Sequence, residues 1–398
     1  MTASDDEKKR PMIGPPSYDN WRAFLANEPL LGTFECLMYT DARLTGEVTT
    51  GLEPYRFFNL VPITRERGNV RAAVALRLAL HVEFEAPPME KTDQARYHGG
   101  WMTDEVAALA SLTCGVRFRS GGETRRFDIK GDPQGRPVAW DARPQPTLSI
   151  GLRGFVLPKI TGEHSMMPIE NTQRFPMLSP DQAITLVRSA RLYQDALWLA
   201  ESEPNLSWLM LVAAVETAAS YWHASTDSPL ERLRDSKSDF VEFLESTRVE
   251  GLAARVAEEF ADSIGTTKKF VEFLLTHLPA PPGKRPAEWV QVEWSRDNLK
   301  RVFRQIYGYR SKALHDGMPF PAPMCEPPYR DETWDAVAEK PIGLAMSGYG
   351  GSWLAIDTPM LLHTFEYIAR NAINAWWASM AVPPNNGMQA GAQEDARG

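Results

Sequence analysis

Two side chains suited to phosphoester chemistry stand five residues apart, Arg310 and His315. A guanidinium keeps its proton at any physiological pH, and an imidazole titrates near neutrality. His315 would serve as general base on a ribose 2′-hydroxyl, or as general acid toward the departing 5′-oxygen. Arg310 would stabilise the extra charge on the pentacoordinate phosphate. Such a reaction needs no metal, and it cleaves RNA because the 2′-hydroxyl is the internal nucleophile. The simpler role for His315 is a cap favoured by the dipole at a helix end.

The stretch that must position them runs Ser295-Arg-Asp-Asn-Leu-Lys-Arg-Val-Phe-Arg-Gln-Ile-Tyr-Gly-Tyr-Arg-Ser-Lys-Ala-Leu-His-Asp-Gly317. Leu299, Phe303, Ile306, Tyr307 and Leu314 recur at three-and-four spacing, which predicts one apolar face of a helix. Gly317 supplies a left-handed stop, and Pro319 and Pro321 forbid continuation. At about 100° per residue, Arg310 falls within that apolar stripe, and His315 lies about 140° around the helix from it. One chain therefore presents half a site. Lys300, Arg301, Arg304 and Lys312 cluster on the opposite face, which is either a solvated surface or a seat for a phosphate backbone. Lys300, Arg304, Ser311, Lys312, Tyr307 and Tyr309 are the candidate RNA-binding side chains. For Ser311 a cap, and for the tyrosines a core position, is the plainer alternative.

A buried guanidinium needs an acceptor, and Glu216 has the matching need. It shares a helical face with Trp208, Val212, Val215 and Ala219, where an unpaired carboxylate would cost several kcal/mol. A Glu216–Arg310 contact is the expected solution, either orienting the guanidinium for catalysis or acting as a structural ion pair.

Tyr309-Arg310-Ser311-Lys312-Ala313-Leu314-His315-Asp316-Gly317 resembles the Arg-x4-6-His signature of HEPN domains, and most closely its Apea-like branch. Of the seven histidines, His315 alone has an arginine five residues before it. The resemblance spans about residues 180–380, with its specific residues at 307–317. It implies a helical bundle, an acidic residue on the preceding core helix, and a metal-independent endoribonuclease whose two motif helices meet across a homodimer groove. It also implies a role in bacterial defence or growth arrest. The alternative is a non-catalytic HEPN-like module that binds nucleotide, RNA or a protein partner.

The expected architecture is α+β with two domains: a β-rich N-terminal domain over 17–165 and an all-α HEPN-like bundle over 179–383. The first would sense a trigger or hold a regulatory partner. Residues 1–16 and 384–398 read as flexible ends, and 318–357 as an excursion or lid. From Val70 to Phe84 the even positions are all apolar, which predicts a long half-buried strand. Phe34-Cys36-Met38 and Leu148-Ile150-Leu152 read as further strands. Cys114-Val116-Phe118 and Phe127-Ile129 read as a hairpin turning at Ser120–Glu123. Its Arg117, Arg119, Arg125 and Arg126 make a basic hairpin, either an ordinary polar sheet face, the plainer reading, or a surface that touches RNA or a partner. Short helices are expected within Tyr18–Leu31 and Asp104–Leu112, and His98 and His164 read as surface or capping residues. Ser179-Pro180-Asp181-Gln182 is a capping box that opens the first bundle helix. The next, Leu206–Trp222, carries Glu216; others follow near 240–244, 251–264 and 267–277, and Thr358-Pro359 opens the last.

A chain of 398 residues with 43% hydrophobic residues can build ordinary cores. No apolar run reaches transmembrane length, and the N-terminus lacks the apolar core of a secretory signal. Three scattered cysteines fit reduced thiols in the cytoplasm. No Cys-x-x-Cys or His-x-x-x-His spacing points to a metal, and no glycine loop to a nucleotide cofactor. The net charge of −8 gives no bulk attraction to nucleic acid, so any RNA contact must be local.

Overall fold

The two-residue alternation from Val70 becomes the spine of an antiparallel sheet, because one face of such a strand must be covered by apolar side chains. In the computed structural model, which describes residues 9–48, 51–61, 68–85, 90–128, 131–138, 143–223, 228–247, 249–260 and 265–380, the chain begins with β1 (Lys9–Arg10) and α1 (Pro16–Leu25). There follow β2 (Gly32–Thr40), β3 (Arg43–Thr45), β4 (Tyr55–Asn59), β5 (Arg71–Leu80) and β6 (Glu83–Phe84). Helix α2 (Met102–Cys114), β7 (Arg119–Phe127), β8 (Arg136–Pro137) and β9 (Glu163–Ser165) complete the first half. The five-stranded sheet runs β4-β5-β2-β7-β8, every neighbour antiparallel.

A 3₁₀ segment, Met167–Met177, leads into the helices: α3 (Pro180–Leu199), α4 (Pro204–Trp222), α5 (Pro229–Ser236), α6 (Ser238–Ser246), α7 (Leu252–Glu259), α8 (Thr266–Thr276) and α9 (Arg296–His315). A hairpin of β10 (Ala345–Gly348) and β11 (Gly351–Leu354) precedes α10 (Leu362–Met380). The chain is thus mixed α/β, with its main sheet in the N-terminal half and mainly helices in the C-terminal half. Both halves share one apolar cluster, continuous from Tyr18 to Trp377, so no polar boundary separates a strand domain from a bundle. Helix α2 joins them: all its residues but Asp104 are buried, including the polar Thr103, Glu105, Ser111 and Thr113.

Several local expectations are corrected. Cys114 ends α2 and Gly115 (φ 67°) caps it, so Cys114–Phe118 is not a strand. Ser120–Glu123 lies inside β7 and not at a turn; Ile129 falls outside the described residues. Leu148–Leu152 forms no strand, and Leu152 is fully exposed. Arg117 is not on a polar sheet face but fully buried. It donates to Asp41 (2.8 Å), Glu201 and the Leu197 carbonyl (2.6 Å), while Glu201 also accepts the Val156 and Leu157 amides. His98 is likewise no surface residue: its Nε2 stands 2.6 Å from Glu105 Oε1, with both side chains almost wholly buried. His164 lies in β9 and caps no helix; its Nε2 stands 2.8 Å from the Lys159 carbonyl of a turn.

Within residues 318–357, expected to be an excursion, 320–325 and 336–339 pack onto the helices, while the β10–β11 hairpin is largely exposed. Phe320 stacks on Trp208 at 5.1 Å, and the buried Glu339 receives two bonds from Arg285 and the Val292 amide. Gly348–Gly351 is the turn of the β10–β11 hairpin, with Tyr349 and Gly350 both at positive φ, as a two-residue type I′ turn requires. Of the lead-in 1–16, residues 1–8 lie outside the description and β1 pairs in parallel with β6; the tail 384–398 also lies outside it.

Candidate functional site

Helix α9 forms as the apolar periodicity requires: Ser295 caps it by accepting the Asn298 amide, and Leu299, Val302, Phe303, Ile306 and Tyr307 are buried. At its C-terminus the Asp316 and Met318 amides close onto the Lys312 carbonyl, with Gly317 at φ 64°. The last turn overhangs the bundle. Leu314, expected on the apolar face, is 54% exposed, and Arg310 sits where the stripe leaves the core, not deep within it.

The contact expected between Glu216 and Arg310 is present. Arg310 Nη2 donates to Glu216 Oε2 at 2.6 Å, and the Tyr307 hydroxyl donates to Glu216 Oε1 at 2.8 Å. The Arg310 guanidinium lies 5.5 Å from the Tyr307 ring centre, and Phe270 of α8 packs on that ring at 5.2 Å. Burial pushes the Tyr307 phenol above its ordinary value, a bond with Thr266 opposes this, and Glu216 adds to it. The phenol therefore stays protonated and remains a donor. The carboxylate is held by α4, its two partners by one turn of α9, and the shared ring by α8. With side chains 22% and 20% exposed, Arg310 and Glu216 keep an edge in solvent.

His315 is exposed on the overhanging turn and has no side-chain partner among the described residues. It does not share hydrogen bonds with Arg310. Lys300 and Arg304 are also exposed and unpaired, and Ser311 is half-buried without a hydrogen-bond partner. With Arg301 and Arg304, His315 shares the solvent face of α9. Gly308, which the motif alone did not bring forward, lies in the middle of that face: nothing comes within 4 Å of where its Cβ would be. A helix-interior glycine costs about 1 kcal/mol relative to alanine, so a bare spot among cations was the signal available in the sequence.

Tyr309 and Lys312 point elsewhere. They line an open cleft of about 890 Å³ with Arg153, Glu201, Phe320 and Trp353, and neither Arg310, His315 nor Glu216 reaches it. Tyr309 is tied down, accepting from Gln305 and donating to the Asp357 carbonyl at 2.6 Å. The candidate residues thus divide into a Glu216–Tyr307–Arg310 unit, a basic face ending in His315, and two cleft-lining side chains.

Other chemistry is constrained. Burial pushes the Cys114 and Cys325 thiols up to about 12, so neither is a thiolate nucleophile near neutral pH. Among the described residues no helix is long and apolar enough to cross a membrane, and no cluster of three His, Cys, Asp or Glu side chains is placed to hold a metal ion. No family model, curated protein or solved structure matches the chain.

Proposed function

We propose that the protein is a HEPN-type endoribonuclease that cleaves RNA by attack of the 2′-hydroxyl, in a site completed by two copies of the chain. The observation that carries this is the Glu216–Arg310–Tyr307 unit. It fixes by Nη2 a guanidinium that keeps an edge in solvent, leaving the remaining N–H groups to bind a phosphate. His315 and the unpaired Lys300 and Arg304 lie around the helix from that guanidinium. A second motif helix, laid against the first, would bring an imidazole to it. The basic face would hold the RNA backbone on either side of the scissile bond. Strand separation is not required, since single strands expose their 2′-hydroxyls. A site in bacterial defence or growth arrest would suit such an activity, with the strand-rich half as the region that meets a trigger or a regulatory partner.

A second reading has its own observation. Arg310 is already met by a carboxylate and an aromatic ring, which suffices for a structural tie in a module that binds RNA, nucleotide or protein without cleaving. Incubating mixed RNA in EDTA with wild type, Arg310→Ala and His315→Ala separates the two. The nuclease gives products ending in 2′,3′-cyclic phosphate that both variants fail to make. A binding module gives retention without products, and cleavage unchanged in His315→Ala ends the nuclease reading.

A further inference from the structure

A second cavity, far less apolar than the cleft beside α9, lies at the seam between the two halves of the chain. It has a volume of about 330 Å³ and is lined by Thr113 of α2, Asn171 and Arg174 of the 3₁₀ segment, and Arg370, Asn374 and Trp377 of α10. It shares no residue with the Glu216–Arg310 unit, and it does not depend on the ribonuclease proposal.

Two buried donors in this lining make no hydrogen bond. The Trp377 indole N–H is buried without a hydrogen bond, in a residue only 2% exposed, and the Arg370 Nε–H is in the same state. A buried, unmade hydrogen bond is expensive, and native proteins rarely leave one without a reason. Arg174 adds a third donor group: it is exposed and has no ion-pair or hydrogen-bond partner among the described residues. The negative charge facing them is Glu366, whose Oε1 lies 3.3 Å from Arg370 Nε and already accepts the Tyr193 hydroxyl. One carboxylate against two guanidiniums leaves the cavity cationic.

The cavity also offers acceptors. Asn374 spends its Nδ2 on the Leu112 and Arg370 carbonyls, at 2.9 and 3.0 Å, which leaves its Oδ1 able to accept. The cradle is built closely: a Cβ on Gly115 would stand 2.9 Å from Arg370 Cζ, so the guanidinium lies flat against the α2 cap. The guanidiniums of Arg174 and Arg370 fit an oxyanion, and the Asn374 amide oxygen in the same lining fits a hydroxyl. The volume sits at the small end of ligand sites.

We propose that this cavity binds the phosphate ester of a small hydroxylated molecule, with the phosphate held by the Arg174 and Arg370 guanidiniums and Trp377 in the wall beside it. The full chain, labelled with ¹⁵N in its indoles, is titrated with ribose 5-phosphate, inorganic phosphate and ribose; Trp377→Phe assigns the Trp377 resonance. Ribose 5-phosphate is expected to move that resonance saturably, and to bind more tightly than inorganic phosphate. Arg174→Ala, on an exposed residue with no partner to lose, should weaken it about tenfold, the loss of one charge-assisted hydrogen bond. Absence of a saturable shift at millimolar ester would overturn the proposal, as would unchanged affinity in Arg174→Ala. Ribose binding as well as its phosphate would remove the oxyanion, and inorganic phosphate binding as well as the ester would remove the hydroxylated body.

Discussion

Replacing Glu216 by glutamine keeps the shape of the Glu216–Arg310–Tyr307 unit and removes its charge. The 2.6 Å bond from Arg310 is charge-assisted, a class that contributes about 1.5–3 kcal/mol when sheltered. Both side chains are about one-fifth exposed, so the stranded guanidinium recovers part of its hydration and the lower end applies. Glu216→Gln should therefore cost about 1.5 kcal/mol. Arg310→Ala should cost about 2 kcal/mol, since its stem also leaves the Tyr307 ring. Because both changes delete the same contact, the double variant should lose about 1 kcal/mol less than the two single losses together. Tyr307→Phe, which removes only the 2.8 Å hydroxyl bond to Oε1, should cost about 1 kcal/mol. Equilibrium urea unfolding followed by circular dichroism measures each. Additivity within about 0.3 kcal/mol would show that the carboxylate does not hold the guanidinium in solution, and the positioning role of Glu216 would fall with it.

Gly308→Ala should stabilise the protein by about 1 kcal/mol, because a Cβ there meets nothing within 4 Å. It should at the same time weaken RNA binding if a backbone crosses that spot. A gain in melting temperature with unchanged RNA affinity would place the RNA elsewhere. Arg117→Met should cost about 3–5 kcal/mol, since it strands Asp41 and Glu201 in the core. Removing the exposed Lys284–Asp335 pair should cost under about 1 kcal/mol; similar losses in the two unfolding experiments would refute the contrast. His363 is buried, which lowers its pKa from 6.5 to about 4. The unfolded chain takes up that proton first, so the stability is whole above pH 6.5 and is lost as pH falls from 6.5 toward 4. At about 1.4 kcal/mol per pH unit the loss is about 3 kcal/mol. His363→Gln should flatten that part of the stability–pH curve, and an unaltered slope would contradict it.

What could be read from the sequence was whatever repeats with a period. The strand of 71–80, the capped helix of 180–199 and the helix of 296–315 each carry enough turns or alternations to outvote local noise. Glu216 and Arg310 were legible as a pair because each was a charge on an apolar stripe, and two such misfits resolve each other. Arg117 was misassigned since it alternates with Val116 and Phe118 as a strand residue would; its partners Asp41 and Glu201 are 76 and 84 positions away. The packing within 318–357 rests on single residues, Phe320 against Trp208 and Glu339 against Arg285, which leave no periodic trace. Burial of Arg310 was overstated because the stripe continues to Leu314 in sequence while the core ends a turn earlier. The cavity at the seam is built from three elements, of which none looks unusual alone.

The measurement that bears most directly on a site shared between two copies is complementation. Arg310→Ala and His315→Ala chains, each unable to cleave, are co-expressed, purified together and incubated with RNA in EDTA. A mixed dimer restores one complete site, with the arginine of one chain facing the histidine of the other, so the mixture is expected to cleave where neither variant alone does. A mixture as silent as its components, prepared from chains whose wild type cleaves, would contradict the shared site.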